Sequence, residues 1–242
     1  MFFTLFTSGY LLLRSHSVQT YLTQWIMTQL SDTYQTKISV GGIDISLFKS
    51  IVLEKVLVED LNQDTLIYVD NVELQVDSLR LFEKRIHLGG IVLNGSRINI
   101  LNDSAGFNFL FLLPKSKADT TSRPETTSPW NITFKNFSIL NSQIKYKDLL
   151  AQRTFFNGIN FNDVEITKLN LSVVNAHFTD SVSTFFLDNA SIFEKSGFAI
   201  GDLRFGARID KSGFTLSGLT IVSNHSHIEA KNIKISDYFP RF

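Results

Sequence analysis

The chain contains no cysteine, which excludes disulfides, zinc–thiolate sites and thiol nucleophiles. It also carries no net charge: 23 Lys and Arg offset 23 Asp and Glu, so it lacks the clustered positive charge that phosphate backbones require, and no nucleic-acid partner is expected. Methionine and tryptophan occur twice each, and three of the four prolines fall between Pro114 and Pro129. Absence of cysteine leaves the compartment open but suits a bacterial periplasmic protein. What is abundant is phenylalanine, at 22 residues in 242, set among branched aliphatics, Asn, Ser and Thr. That is a β composition. Asn-x-Ser/Thr recurs, for example at Asn94, Asn131, Asn136, Asn170, Asn189 and Asn224, and chance in so Asn- and Ser-rich a chain accounts for it.

Long apolar runs are also scarce. The longest candidate, Phe2–Leu13, is twelve residues and covers roughly 18 Å as a helix at about 1.5 Å per residue, against a bilayer core of about 30 Å. It has neither a basic leading region nor a small-residue cleavage site. Three readings fit it: the end of a membrane anchor (residues 1–14), an atypical signal sequence, or a buried or interfacial helix. Next, Val18, Tyr21, Leu22, Trp25, Ile26 and Leu30 fall on one face of a 3.6-residue period, predicting an amphipathic helix over 15–33 with Ser17 as its N-cap. Tyr21 and Trp25 are expected to pack on the following sheet.

Beyond Tyr34 the period becomes two. Val72, Leu74 and Val76 alternate with acids and amides, as do Ile43 and Ile45, Ile98 and Ile100, Phe107, Phe109 and Phe111, Leu169, Leu171 and Val173, and Phe214 and Leu216. Each predicts a half-buried strand. Asn94-Gly95 between two alternating segments predicts a hairpin, Leu140-Asn141-Ser142 occupies an analogous place, and Leu187-Asp188-Asn189 is a looser echo. Lys195-Ser196-Gly197-Phe198 recurs as Lys211-Ser212-Gly213-Phe214, so the expectation is a meander of short antiparallel strands built on a degenerate repeat. Gly41-Gly42 and Gly89-Gly90 are read as bulges or bends. Two β segments, 34–113 and 131–242, flank the Pro/Ser/Thr-rich stretch 114–130, read as a loop inserted in one continuous sheet.

No catalytic constellation is visible. Gly-x-Ser-x-Gly and the phosphate-binding glycine patterns are absent. His225 and His227 are read as a surface pair rather than metal ligands, and Asp60, Asp64 and Asp70 as turn residues. No cofactor, no metal and no enzymatic activity are expected. A one-faced sheet must still cover its apolar side with helices, a second sheet, closure or an apolar ligand.

The order of Lys37-Ile38-Ser39-Val40-Gly41-Gly42-Ile43-Asp44-Ile45, Leu53–Asp60 and Asp64–Asp70, followed by Leu93–Ile100, Phe107-Asn108-Phe109 and the two KSGF segments, resembles the N-terminal part of TamB-like proteins of the AsmA-like superfamily, Bacteroidota type, over most of residues 15–235. The resemblance implies a single N-terminal anchor in the bacterial inner membrane and a periplasmic body shaped as a twisted, repeating β-groove. It also implies phospholipid transfer between membranes, outer-membrane protein assembly, or both. The partners it implies are phospholipid acyl chains, the membrane itself, and an outer-membrane barrel-assembly protein met through a C-terminal region beyond this chain, which is expected to be an N-terminal piece of a longer protein. The candidate groove-lining residues are Val72, Leu74, Val76, Ile98, Ile100, Phe107, Phe109, Leu169, Leu171 and Val173. The competing reading is a structural or interaction module with a closed, dry sandwich core.

Overall fold

The computed structural model describes residues 16–46, 50–80, 83–113, 131–151, 158–179 and 181–236. The candidate anchor and the stretch 114–130 lie outside these residues. Among the described residues one helix, α1 (His16–Tyr34), precedes twelve strands: β1 (Ile38–Ser39), β2 (Gly42–Ser46), β3 (Ser50–Glu59), β4 (Thr65–Arg80), β5 (Arg85–Asp103), β6 (Gly106–Phe107), β7 (Asn131–Asp148), β8 (Asp163–Phe178), β9 (Val182–Glu194), β10 (Ala199–Asp210), β11 (Gly213–Ser223) and β12 (His227–Ser236). All twelve form a single sheet in the order β1-β3-β4-β5-β7-β8-β9-β10-β11-β12, with β2 paired to β3 and β6 to β5. Neighbours are antiparallel except β5 and β7, which run parallel from Arg85↔Asn131 to Asn102↔Asp148. The uniform antiparallel meander expected from sequence is therefore interrupted once. β5 ends at the rim opposite to the one where β7 begins. The direct pairing of β5 with β7 makes the sheet continuous across the proline-rich stretch.

The strands are long, not short: β4, β5, β7 and β8 each have 16 to 19 residues. The predicted hairpin at Asn94-Gly95 is absent, because that dipeptide lies in the middle of β5. A two-residue hairpin of the Asn-Gly type needs left-handed backbone at both central residues. Here only Gly95 has it (φ +70°), and the ladder with β4 continues on both sides, from Asn71↔Asn94 to Val69↔Ser96. Gly95 and Asp70 opposite it drop out of the ladder together without a change of register, so the segment is a bend within the strand. Its analogue Leu140-Asn141-Ser142, with Asn141 at φ +50°, lies beside it in the parallel ladder and is a bulge of β7 against β8. Asp188 is the unpaired residue of a bulge in β9, between Ser172↔Asn189 and Val173↔Leu187.

These bulges and the bend follow a rule. Along each strand the inward apolar positions are two apart, except for one step of three across each of them. In β5 they are Ile91, Leu93, then Ser96, Ile98, Ile100; in β7, Phe137, Ile139, then Ser142, Ile144, Tyr146. β8 steps twice, at Lys168 (φ +52°) and Asn175 (φ +54°), giving Ile166, then Leu169, Leu171, Val173, then Ala176, Phe178. β3 does so at Lys55 and β11 at Gly218. A bulge inserts one residue, and a one-residue slip would send every later side chain to the opposite face. The step of three cancels the slip, so the apolar set stays on one side. The residue after the left-handed one is buried at Ser96, Ser142, Leu169, Ala176 and Leu219, and half-buried at Val56.

Adjacent bulges and bends line up into creases. In the first, the Asn141 Nδ2 donates to Asn94 Oδ1 (3.2 Å), Asn170 Oδ1 accepts from the Asn141 N–H (3.0 Å), and Ser142 Oγ accepts from the Ser96 N–H (2.9 Å). In the second, Asn136 Nδ2 donates to the Gly89 carbonyl (2.8 Å), and its Oδ1 accepts from the Asn175 N–H (3.3 Å). These amides satisfy backbone groups that a bulge takes out of the ladder. Of the Asn residues of the recurring Asn-x-Ser/Thr, Asn94, Asn136 and Asn170 take part in the creases. Gly89 is the extra residue of its bulge, between Gln75↔Gly90 and Val76↔Leu88.

The KSGF segments are the β9–β10 and β10–β11 turns, each capped by the preceding acid. Glu194 Oε2 accepts from the Ser196 N–H (2.8 Å), and Asp210 Oδ1 accepts from the N–H and the hydroxyl of Ser212 (2.8 and 2.6 Å). The Ser212 hydroxyl and N–H, followed by Arg208, hold the Asp210 carboxyl down at about 2. Burial pushes the Glu194 carboxyl up, but the hydrogen bonds from Ser196 and from the Glu165 backbone outweigh it, and the net shift is downward.

α1 occupies the expected span but not the expected orientation. Tyr21 and Trp25 are 69% and 57% exposed, whereas Gln19 and Thr23 are buried. The helix does not lie over the sheet. Its C-terminal end docks at the β1–β2 edge, where Gln35 is left-handed (φ +54°), the Thr36 N–H reaches back to the Ser31 carbonyl (3.2 Å), and Ser31 Oγ accepts from the Ile38 N–H (2.9 Å).

A Cβ at Gly95 would strike the Asp70 carboxylate, while one at Gly218 would meet open space, although both residues are left-handed. Gly218→Ala should cost about 1 kcal/mol, the ordinary penalty for a left-handed alanine. Gly95→Ala should cost about 2–3 kcal/mol or more, because Asp70 must also move and a hydrogen-bonded crease opens. Urea unfolding of the two variants measures the difference.

Candidate functional site: the apolar face of the sheet

Strand pairing places opposite residues on the same face, so the ladders map the apolar side directly. Val72, Leu93, Ile139 and Leu171 form one row across β4, β5, β7 and β8; Leu74, Ile91, Phe137 and Val173 form the next. Beyond the first crease the rows continue as Ile67, Ile98, Ile144 and Ile166, and as Ile100, Tyr146 and Val164. The reverse side is polar. Glu73, Gln75 and Asp77 face outward along β4, Arg97 stacks over the Tyr68 ring at 4.4 Å, Lys145 pairs with Glu165 at 3.1 Å, and Lys168 covers Phe193 at 5.8 Å.

Eight of the sequence-derived lining residues share this apolar face within β4, β5 and β8: Val72, Leu74, Val76, Ile98, Ile100, Leu169, Leu171 and Val173. The predicted Phe107–Phe111 strand is only the two-residue β6, followed by a 3-10 turn at Leu110–Leu112, so Phe109 lies in no strand. The cause lies in Asn108, whose side chain accepts from the Leu101 N–H (3.0 Å) and donates to Asp60 Oδ2 (3.1 Å) and the Asn99 carbonyl (3.2 Å), ending the alternation. Phe107 pairs with Asn102, two residues beyond Ile100, and so faces the apolar side at its end, its ring 6.5 Å from Tyr146 and 5.3 Å from that of Phe109. The lining set read from the sequence left out Leu93, Ile91, Phe137, Ile139 and Ile144. The signal that finds them is the step of three beside a residue able to adopt left-handed backbone.

The face is open. β12 pairs only with β11, and β1 and β2 pair only with β3, so the sheet does not close on itself. The rows consist of half-buried residues, and Leu79, Ile132, Phe178, Ile228 and Ile235 on the same side are more than a third exposed. One concavity of about 530 Å³ sits at the second crease, with Leu88, Ile132, Phe134, Ala176 and Phe178 in its wall.

Polar candidates are accounted for by local structure. Asp60 is buried and caps the β3–β4 turn, its Oδ1 accepting from the N–H groups of Asn62 and Asp64 (2.9 and 3.0 Å). His227 pairs with Glu229 at 3.2 Å. Among the described residues no helix is long and apolar enough to cross a membrane. No protein-family model matches the chain, and no curated protein sequence matches it significantly.

Leu169 and Leu171 sit two residues apart on this face, the first buried and the second half-exposed. Leu169→Ala should cost about 2–4 kcal/mol and Leu171→Ala about 1 kcal/mol, since truncating a side chain that already meets solvent leaves no enclosed cavity. Denaturant midpoints of the two variants, with unchanged m-values, would show it.

Proposed function

We propose that the apolar face is a binding surface for lipid acyl chains, and that the chain is a cell-envelope module of the TamB/AsmA type. On this reading the module is tethered to the bacterial inner membrane through its N-terminal segment, with its body in the periplasm, where it supports phospholipid transfer between membranes, outer-membrane protein assembly, or both. The observation that carries the reading is a continuous one-sided apolar surface, kept on that side through every crease, over which the described residues place no second layer. Such a surface is costly in water at about 25 cal/mol per Å² of apolar area, and an acyl chain laid along it recovers that cost. Long strands spanning the face, a polar reverse side and the order of the N-terminal motifs support the same reading. The work is non-covalent: chains are shielded from water and passed along by exchange between equivalent rows. The TamB-like groove is this reading's finer account of the open sheet.

Mass spectrometry of lipid carried by the purified full chain tests it. Wild type should bring acyl lipid through purification, and Leu74→Glu or Val173→Glu, each placing a charge within the face, should lose most of it while circular dichroism stays that of a sheet. Lipid content unchanged in folded variants would contradict the proposal.

A further inference from the structure

We infer that α1 lies along the membrane surface, with the face that bears Tyr21 and Trp25 in the headgroup zone of the bilayer. This inference rests on the membrane tether of the proposed function and adds what the helix does once the chain is held there. A helix that faces water turns apolar side chains inward and charged ones outward. α1 is inverted on both counts. Gln19 and Thr23 are buried, whereas Tyr21 and Trp25 are more than half exposed. Between Ser17 and Ser31 there is no Asp, Glu, Lys or Arg, and the exposed side carries Tyr21, Gln24, Trp25, Thr28 and Gln29. The buried Thr23 hydroxyl is satisfied within the helix, donating to the Gln19 carbonyl (2.7 Å). Water offers the two exposed rings nothing. The headgroup zone does, because a tyrosine or tryptophan there keeps its ring in apolar surroundings and its O–H or N–H in polar ones. The uncharged Gln and Thr side chains suit the same layer.

The attachments of the helix set where that face sits. α1 begins at His16, three residues after the apolar run Phe2–Leu13, and Trp25 follows nine residues later, about 14 Å along the helix at about 1.5 Å per residue. A tether through Phe2–Leu13 therefore holds both rings close to the bilayer. At the other end α1 is fixed to the sheet: Ser31 Oγ accepts from the Ile38 N–H (2.9 Å), and Thr36 Oγ1 donates to the Glu59 carbonyl (2.7 Å). A helix lying in the interface keeps both ends at one depth, so the β1–β2 edge comes to rest beside the membrane. The apolar face begins there, with Ile43 and Ile45 of β2 opposite Leu53 and Ile51 of β3. A lipid leaving the bilayer then meets the first positions of the face at this edge. Recognition is aromatic rather than electrostatic, so it needs no anionic lipid and tolerates salt.

The chain holds two tryptophans, so Trp130→Phe leaves Trp25 as the sole reporter. With phosphatidylcholine vesicles added to the full chain at high salt, Trp25 emission should shift to the blue and lose its quenching by aqueous acrylamide. Phosphatidylcholine brominated near the headgroup end of its chains should quench it more than phosphatidylcholine brominated at the chain terminus. The double variant Tyr21→Ser, Trp25→Ser, checked for folding by circular dichroism, should partition into vesicles about tenfold or more weakly than wild type, the scale of removing two partly buried aromatic side chains. Three results would overturn the interfacial helix and leave the tether standing: cosedimentation with vesicles while Trp25 stays in water, a Trp25 already shielded from acrylamide without vesicles, or unchanged partitioning of the double variant. No cosedimentation of wild type would overturn both.

Discussion

The structure depends on keeping an apolar surface on one side of a sheet whose strands are repeatedly bent. Long strands twist, and a twelve-stranded sheet accommodates curvature through bulges. Each bulge threatens to turn the rest of its strand inside out. The step of three in the apolar spacing beside Lys55, Gly95, Asn141, Lys168, Asn175 and Gly218, each left-handed, prevents that. The bulges are useful only where they align, and the side chains of Asn94, Asn136, Asn141 and Asn170 tie those of neighbouring strands together.

From this constraint the exposed chemistry follows. A sheet creased without losing its sidedness presents a long apolar face, and the helix that could have covered it docks at the β1–β2 edge instead. Its aromatic residues Tyr21 and Trp25 point to solvent, although a single-sequence reading of the helical period directs them to the sheet. Periodicity identifies which residues share a helix face, but not which face the rest of the fold covers. The same limit applies to the reverse: Gln19 and Thr23 are polar by sequence and buried in the fold.

Alternation made the strands legible, and the eight lining residues of β4, β5 and β8 were recognisable because each lies in an unbroken run of period two. Strand length was not, because Asn-Gly and Asn-Ser belong equally to turns and to bends or bulges within a strand, and only pairing on both sides of Gly95 distinguishes them. Phe109 shows the opposite error, since alternation over so few residues can arise in a turn that Asn108 stabilises by hydrogen bonds. The parallel pairing of β5 with β7 had no local signature, although the likeness of Leu93–Ile98 to Leu140–Ile144 was its trace: the two segments are adjacent in the sheet. The concavity at the second crease was invisible because its walls come from β4, β5, β7 and β8, which only the register assembles.

The central claim is that the apolar face is open in the folded protein and becomes covered by lipid. The absence of cysteine makes this directly measurable, since any introduced thiol is the sole one. Maleimide labelling would compare Leu171→Cys on the apolar face, Ser172→Cys on the reverse face and Leu169→Cys at the crease. In lipid-free folded protein, Leu171→Cys should react at a rate near that of Ser172→Cys and far faster than Leu169→Cys. Added phospholipid should protect Leu171→Cys and leave Ser172→Cys unchanged. A Leu171→Cys thiol as inert as that of Leu169→Cys before any lipid is added would mean a closed, dry core, and would contradict the account.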